Sequence, residues 1–189
     1  MGKVSFKPGN MLYPLPAVMI SSADKDGKTD IMTASWAGTI CSDPAMVSIS
    51  VRKSRYSYHM IKETGEFVIN LTTENLVRAA DYCGVKSGRD VDKWEKMNLT
   101  PEKADIVKAP LIAESPVNIE CRVKEIRELG THDMFIADVV AVHGDSSLMD
   151  EKNVFHLNDA GLIVYSHGTY FSLGRSVGTF GFSVCKKKT

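Results

Sequence analysis

The chain predicts a mainly β fold, a closed or partly open antiparallel barrel with a few flanking helices. Three observations carry this expectation. Short apolar or alternating segments recur along most of the 189 residues, each bounded by Gly, Pro or Asp turn signals. Only two or three stretches between them carry helical spacing. The strand–helix alternation of a parallel sheet is missing, as is any Gly-x-Gly-x-x-Gly after a strand, so the dinucleotide grip of that fold is excluded.

The elements follow in order. Residues 17–22 read as a first strand, turned by Asp24-Lys25-Asp26-Gly27. Residues 31–36 and 46–52 fit the next two strands, separated by the Asp43-Pro44 turn. Residues 58–63 form a short helix that Gly65 ends, and residues 66–71 a compact apolar strand. Thr72, Thr73 and Glu74 supply cap and first-turn acid for a helix carrying Leu76, Val77, Ala80 and Cys83, which stops at Gly84. Residues 83–110 read as irregular, punctuated by Gly88, Pro101 and Pro110. Val117, Ile119, Cys121 and Val123 alternate with polar residues as a long strand. Residues 134–143 pair with it across the turn Gly130-Thr131-His132-Asp133. Residues 162–165 form a last core strand, and the glycine-bearing tail from Gly174 stays extended.

Composition narrows the function classes. One sizeable core fits 189 residues and two do not, so residues 1–189 are expected to form a single domain. Lys+Arg and Asp+Glu are 23 each, so no net field steers the chain to nucleic acid or an anionic membrane surface. Lys186, Lys187 and Lys188 read as a solvated tail. Pro8, Gly9, Asn10, Pro14 and Pro16 interrupt any apolar leader, and no stretch reaches the roughly twenty apolar residues that cross a bilayer. Cys41, Cys83, Cys121 and Cys185 are scattered without metal or dithiol spacing, which reads as free thiols in a cytoplasmic protein. His59, His143, His156 and His167 lack metal-ligand spacing, so no metal is expected. No nucleophile has a base and an orienter, and no carboxylates pair, so hydrolysis is unsupported.

Two stretches carry chemistry. Residues 48–57, Ser-Ile-Ser-Val-Arg-Lys-Ser-Arg-Tyr-Ser, alternate as a half-buried strand and then open into a cationic, hydroxyl-rich loop. Arg52, Lys53 and Arg55 with Ser54 and Ser57 suit a phosphate, and a helix starting near Ser57 adds free N–H groups. The other stretch is Thr33-Ala34-Ser35-Trp36, whose indole offers a flat wall to an aromatic ligand. A phosphate grip beside an aromatic wall describes a mononucleotide site.

These two stretches resemble the flavin reductase-like family of FMN-binding split barrels, flavoredoxin-like proteins in particular, and the likeness runs over residues 13–174. The resemblance implies an FMN-binding split β-barrel in which Thr33, Ala34, Ser35 and Trp36 run beneath the flavin ring. It implies that Ser50, Val51, Arg52, Lys53, Ser54 and Ser57 form the phosphate loop. Asn70 ends a strand near the flavin, and Tyr165 touches the ring from the closing segment. Lys93 belongs to a loop matching the family's mobile one, and His132 approaches the flavin, often across a dimer interface. Lys93 and His132 are accordingly the candidates for supporting reduction, through positive charge or hydrogen bonding at the ring. Asp30 stands where the family usually has asparagine. An acid there accepts from a ribityl hydroxyl, and it repels a phosphate or a reduced, anionic flavin. The implied activity is an FMN-dependent oxidoreductase of the flavin reductase type, with NADH or NADPH as reductant and a homodimer as the working unit. The alternative is a non-enzymatic electron carrier that keeps FMN and exchanges electrons with a redox protein partner. An FMN-storage or sensing module is the third reading.

Overall fold

The computed structural model describes residues 2–184, so Cys185 and the lysine tail at 186–188 lie outside the described residues. Among the described residues twelve strands and three α-helices follow one another. They are β1 (Leu15–Pro16), β2 (Val18–Ala23), β3 (Thr29–Ala34), β4 (Ala37–Ser42), β5 (Ala45–Arg52), α1 (Tyr56–Thr64) and β6 (Glu66–Leu71). Then come α2 (Val77–Val85), α3 (Lys93–Met97), β7 (Pro101–Glu102), β8 (Leu111–Ile112), β9 (Val117–Glu128), β10 (His132–Gly144), β11 (Ile163–Ser166) and β12 (Thr169–Ser172).

Seven strands make one antiparallel sheet in the order β3-β2-β6-β9-β10-β5-β4. Its two edges, β3 and β4, are joined in the chain by only Ser35 and Trp36. Three peptide units reach about 11 Å at most, so the sheet has to curl until its edges meet at that corner. No ladder joins β3 to β4. The result is a barrel closed at one corner and split beyond it. Val18, Ile20, Met32, Val47, Ile49, Val51, Phe67 and Phe135 fill the interior, and α1 contributes Tyr58 and Ile61 to the same core. The opposite face of β2 and β3, with Met19 and Ile31, packs on α2 and on Trp94 of α3. A small sheet, β1-β11-β12, carries the aromatic segment near the C-terminus.

The longer elements read from sequence recur; the two-residue strands β1, β7 and β8 carried no strand reading, and four further differences have a physical reason. β4 was not anticipated, because it is an edge strand with mostly exposed residues and no burial contrast to impose alternation. β12 is exposed in the same way. α3 is only five residues long and depends on Asp92, whose carboxylate accepts from the Trp94 and Glu95 amides at 2.9 and 3.2 Å. Thr73 precedes a short 3₁₀ turn without a side-chain capping bond. Instead the Glu74 amide donates to the Gly161 carbonyl at 2.9 Å, so tertiary backbone pairing replaces the expected cap.

Candidate functional site

β5 explains how the site is aimed. Val47, Ile49 and Val51 point into the barrel, so Ser48, Ser50 and Arg52 face the other way. His132 pairs directly with Arg52 across the β5–β10 ladder and therefore shares its face, while Asp133 pairs with Val51 and turns inward. The inward Asp133 accepts from the Tyr58 hydroxyl at 2.5 Å, which ties α1 to the start of β10.

A cleft of about 910 Å³ opens at this corner, a volume suited to a cofactor-sized ligand. It brings together Asp30, Thr33, Ala34, Ser35, Trp36, Ser50, Val51, Arg52, Ser54, Ser57, Lys93, His132 and Tyr165 from the sequence expectation. Two expected residues are not among those lining it. Lys53 turns to the β9–β10 hairpin, where it meets Glu128 at 3.2 Å and Asp133 at 3.5 Å. Asn70 is fully buried and structural. It donates to Met19 O and Ser21 Oγ at 3.0 Å, and it accepts from the Ile112 amide at 3.0 Å and Asn118 at 2.7 Å.

Part of the cleft lining is cationic. Arg52, Arg55 and Arg89 line it beside the start of α1. Arg55 donates one N–H to Gly84 O at 2.7 Å and Arg89 one to Ser54 O at 3.3 Å, so each guanidinium keeps further donors for a ligand. No side chain caps α1 and no acid sits in its first turn. That arrangement leaves a helix start suited to an anion. Arg89, which the phosphate-loop motif lacked, arrives from the distant loop before α3, the one that resembles the family's mobile loop. Gly88 is required there, because a Cβ would collide with the Asp30 carboxylate and the Tyr56 ring.

The adjoining part, beside Arg52, is aromatic. Trp36 and His132 stack with ring centroids 6.2 Å apart and planes 9° from parallel. The Trp36 carbonyl accepts from the Ser50 amide at 2.8 Å, which fixes the two-residue link. Tyr165 and Tyr170 border the cleft with centroids 5.6 Å apart. Tyr170 belongs to the same closing segment but is not among the candidate site residues read from sequence; its hydroxyl donates to Asp81 at 3.3 Å, and burial first and then Asp81 push its pKa up to about 12.

Charges in the cleft differ from the simplest expectation. Burial foremost, then the Arg52 and Arg55 cations, lower the His132 pKa below its ordinary 6.5. His132 is therefore a neutral imidazole near pH 7 and acts as a hydrogen-bonding group, not as a positive charge; its Nδ1 lies 2.9 Å from Thr131 Oγ1. Lys93 is buried and paired with Asp30 at 3.0 Å, and it also donates to Ile31 O. The second Asp30 oxygen accepts the Ser57 hydroxyl at 2.5 Å. Ser57 is thus committed as a donor to Asp30, which leaves the backbone N–H groups of the α1 start as the free donors there. Thr33 is committed likewise, donating to Ala80 O at 2.5 Å.

Two other features lie outside this cleft. A second one of about 740 Å³ along α2 and α3 interleaves Arg78 and Lys96 with Glu114, Asp145 and Asp159, so it offers no uniform field to an ion. Asp105, Glu120 and His143 bring potential ligand atoms within 4.8 Å of one another, a convergence that residue spacing did not reveal. Glu120 already accepts the Asp105, Ile106 and Val107 amides at 2.8–2.9 Å and meets His143 Nε2 at 2.6 Å. Its lone pairs are spent on holding that loop.

Comparison with known proteins agrees with this geometry. Residues 11–174 match the family model described as a flavin reductase like domain. The structure is similar to flavoredoxin of Desulfovibrio vulgaris (Miyazaki F), with a TM-score of 0.90 and 30% identity, covering 97% of this chain and 100% of that one. It is also similar to flavoredoxin from Methanosarcina acetivorans, with a TM-score of 0.88 and 26% identity over 98% of this chain and 100% of that one. An uncharacterized protein of Archaeoglobus fulgidus is 37% identical over 136 residues, 71% of this chain and 76% of its own length.

Proposed function

Since the chain belongs to the flavin reductase like domain family, we propose that its cleft holds FMN and that the protein is a flavin-dependent oxidoreductase. The single observation that carries this reading is the lining of the cleft, which sets three arginines and a helix start beside stacked aromatic rings. The donor set fits the ligand. Arg52, Arg55, Arg89 and the α1 amides would hold the phosphate, and Trp36, His132 and Tyr165 would border the ring. Bound FMN supplies two-electron transfer, and the residues around it supply position and electrostatics. The neutral His132 imidazole offers a hydrogen bond without adding charge. Neither His132 nor Lys93 has to move a proton for a hydride to be accepted, so their contribution is electrostatic.

The reductant in this reading is NADH or NADPH. Anaerobic stopped-flow mixing of FMN-loaded protein with each nucleotide tests it: bleaching of the flavin band within seconds is expected for at least one. A second reading is specifically favoured by the likeness to two flavoredoxins over nearly the whole chain, namely an electron carrier serving a redox protein partner. Absence of bleaching by either nucleotide over many minutes, with rapid reduction by a protein donor, selects the carrier.

A homodimer belongs to the same proposal. Phe6, Leu12, Phe171, Leu173, Phe180 and Phe182 are all exposed, and Trp36 and Ile40 are partly so on the edge link and strand. An isolated chain with this much apolar surface is unfavourable in water, and a second copy can cover it and the open cleft. Sedimentation at micromolar concentration should give a dimer; a flavin-loaded monomer overturns this part.

A further inference from the structure

We propose that Asp30 sets how strongly the cleft prefers reduced over oxidised flavin, by holding the Lys93 charge in a neutral pair. The inference rests on the FMN reading above. Asp30 and Lys93 are each only 3% exposed and lie 3.0 Å apart. Lys93 is a residue of the cleft lining, so its charge is offered to whatever binds there. Asp30 cannot swing aside. One oxygen is pinned by the Ser57 hydroxyl at 2.5 Å, and the backbone at Gly88 packs so closely on the carboxylate that no side chain fits between.

A bound ligand therefore meets an ion pair, whose field falls off faster than that of a lone ammonium. Two-electron reduction puts negative charge on the pyrimidine side of a flavin, and a lone buried cation favours that form over the neutral oxidised ring. Replacing the carboxylate with an isosteric amide leaves Lys93 without its counter-charge, and the strongest remaining partner for it is the reduced flavin. Removing the ammonium while keeping Asp30 does the reverse. The two charges act on one quantity with opposite sign, and removing both restores the net charge of the wild-type pair.

The test measures FMN dissociation constants for the oxidised and reduced forms, together with the midpoint potential of bound FMN, in wild type, Asp30→Asn, Lys93→Met and the double variant. Asp30→Asn should move the affinity ratio about tenfold toward the reduced form. A tenfold change raises a two-electron potential by about 30 mV. Lys93→Met should shift the ratio the opposite way, and the double variant should return to the wild-type value. A merely structural role weakens both forms alike and leaves the ratio fixed. An unchanged ratio in both single variants, or shifts of the same sign, overturns the proposal. Should Asp30→Asn fail to fold, the sign of the Lys93→Met shift alone decides. If the wild type takes up no FMN, the reading of the cleft itself fails and this inference falls with it, an outcome distinct from FMN-loaded protein with an unmoved ratio.

Discussion

His132 illustrates how the surroundings of one residue decide its chemistry. Alone in a turn, a histidine titrates near 6.5; here burial, and then two guanidiniums, disfavour its proton. The unfolded chain therefore binds a proton at His132 more readily than the folded one. Stability rises with pH from the lowered folded pKa up to about 6.5, and this contribution is flat above that range. NMR titration of the imidazole should show its pKa rise in Arg52→Ala, with a residual depression left by burial and Arg55. An unaltered titration would mean that Arg52 exerts no field on this ring. The thiol of Cys83 is the contrasting case. Burial above all raises its pKa to about 12, which strongly disfavours the thiolate.

At the scale of the element, the same cost of burial is met by satisfying every lone pair. Glu120 on β9 is fully buried, and burial alone would raise its pKa; the His143 ring and the Asp105, Val107 and Ile106 amides outweigh this and hold it below 4.5. A depressed carboxylate contributes stability that is present above its unfolded pKa and is lost as pH falls through the folded one. Glu120→Ala strands three amides and should cost about 3 kcal/mol in chemical denaturation at pH 7. A loss under about 0.5 kcal/mol, the ordinary range for a surface substitution, would contradict this latch. Much of the architecture was legible at this scale. β5, β6, β9 and β10 are the strands whose alternation or apolar run is imposed by the core, and each was found within a few residues of its limits. β4, β12 and α3 were not, because exposed edges and single turns bury too little to leave a pattern. In the site, contiguous motifs such as residues 33–36 were readable. The Lys93–Asp30–Ser57 chain and the contribution of Arg89 were not, because long-range folding alone unites them.

For the molecule as a whole, one corner determines the site. The link through Ser35 and Trp36 closes the barrel, and the cleft lies against that link, the end of β5 and the start of α1. Two glycines inserted between Ser35 and Trp36 lengthen this link at a loop-closure cost of about 0.6 kcal/mol, so the fold should survive with a small loss of melting temperature. Trp36 is displaced from the ring stack, and FMN affinity should fall by far more than stability does. Retained affinity would show that the corner does not shape the pocket. The central claim is that the arginines grip a phosphate while the aromatic side chains beside them border a ring. Fluorescence-quenching titrations with FMN and riboflavin, for wild type and Arg52→Ala, test it most directly. A charge-assisted contact is worth about 1.5–3 kcal/mol, so FMN should weaken by roughly one to two decades in the variant while riboflavin binding stays near its wild-type value. Equal losses for both ligands, or wild-type protein that binds the two equally well, would contradict the account.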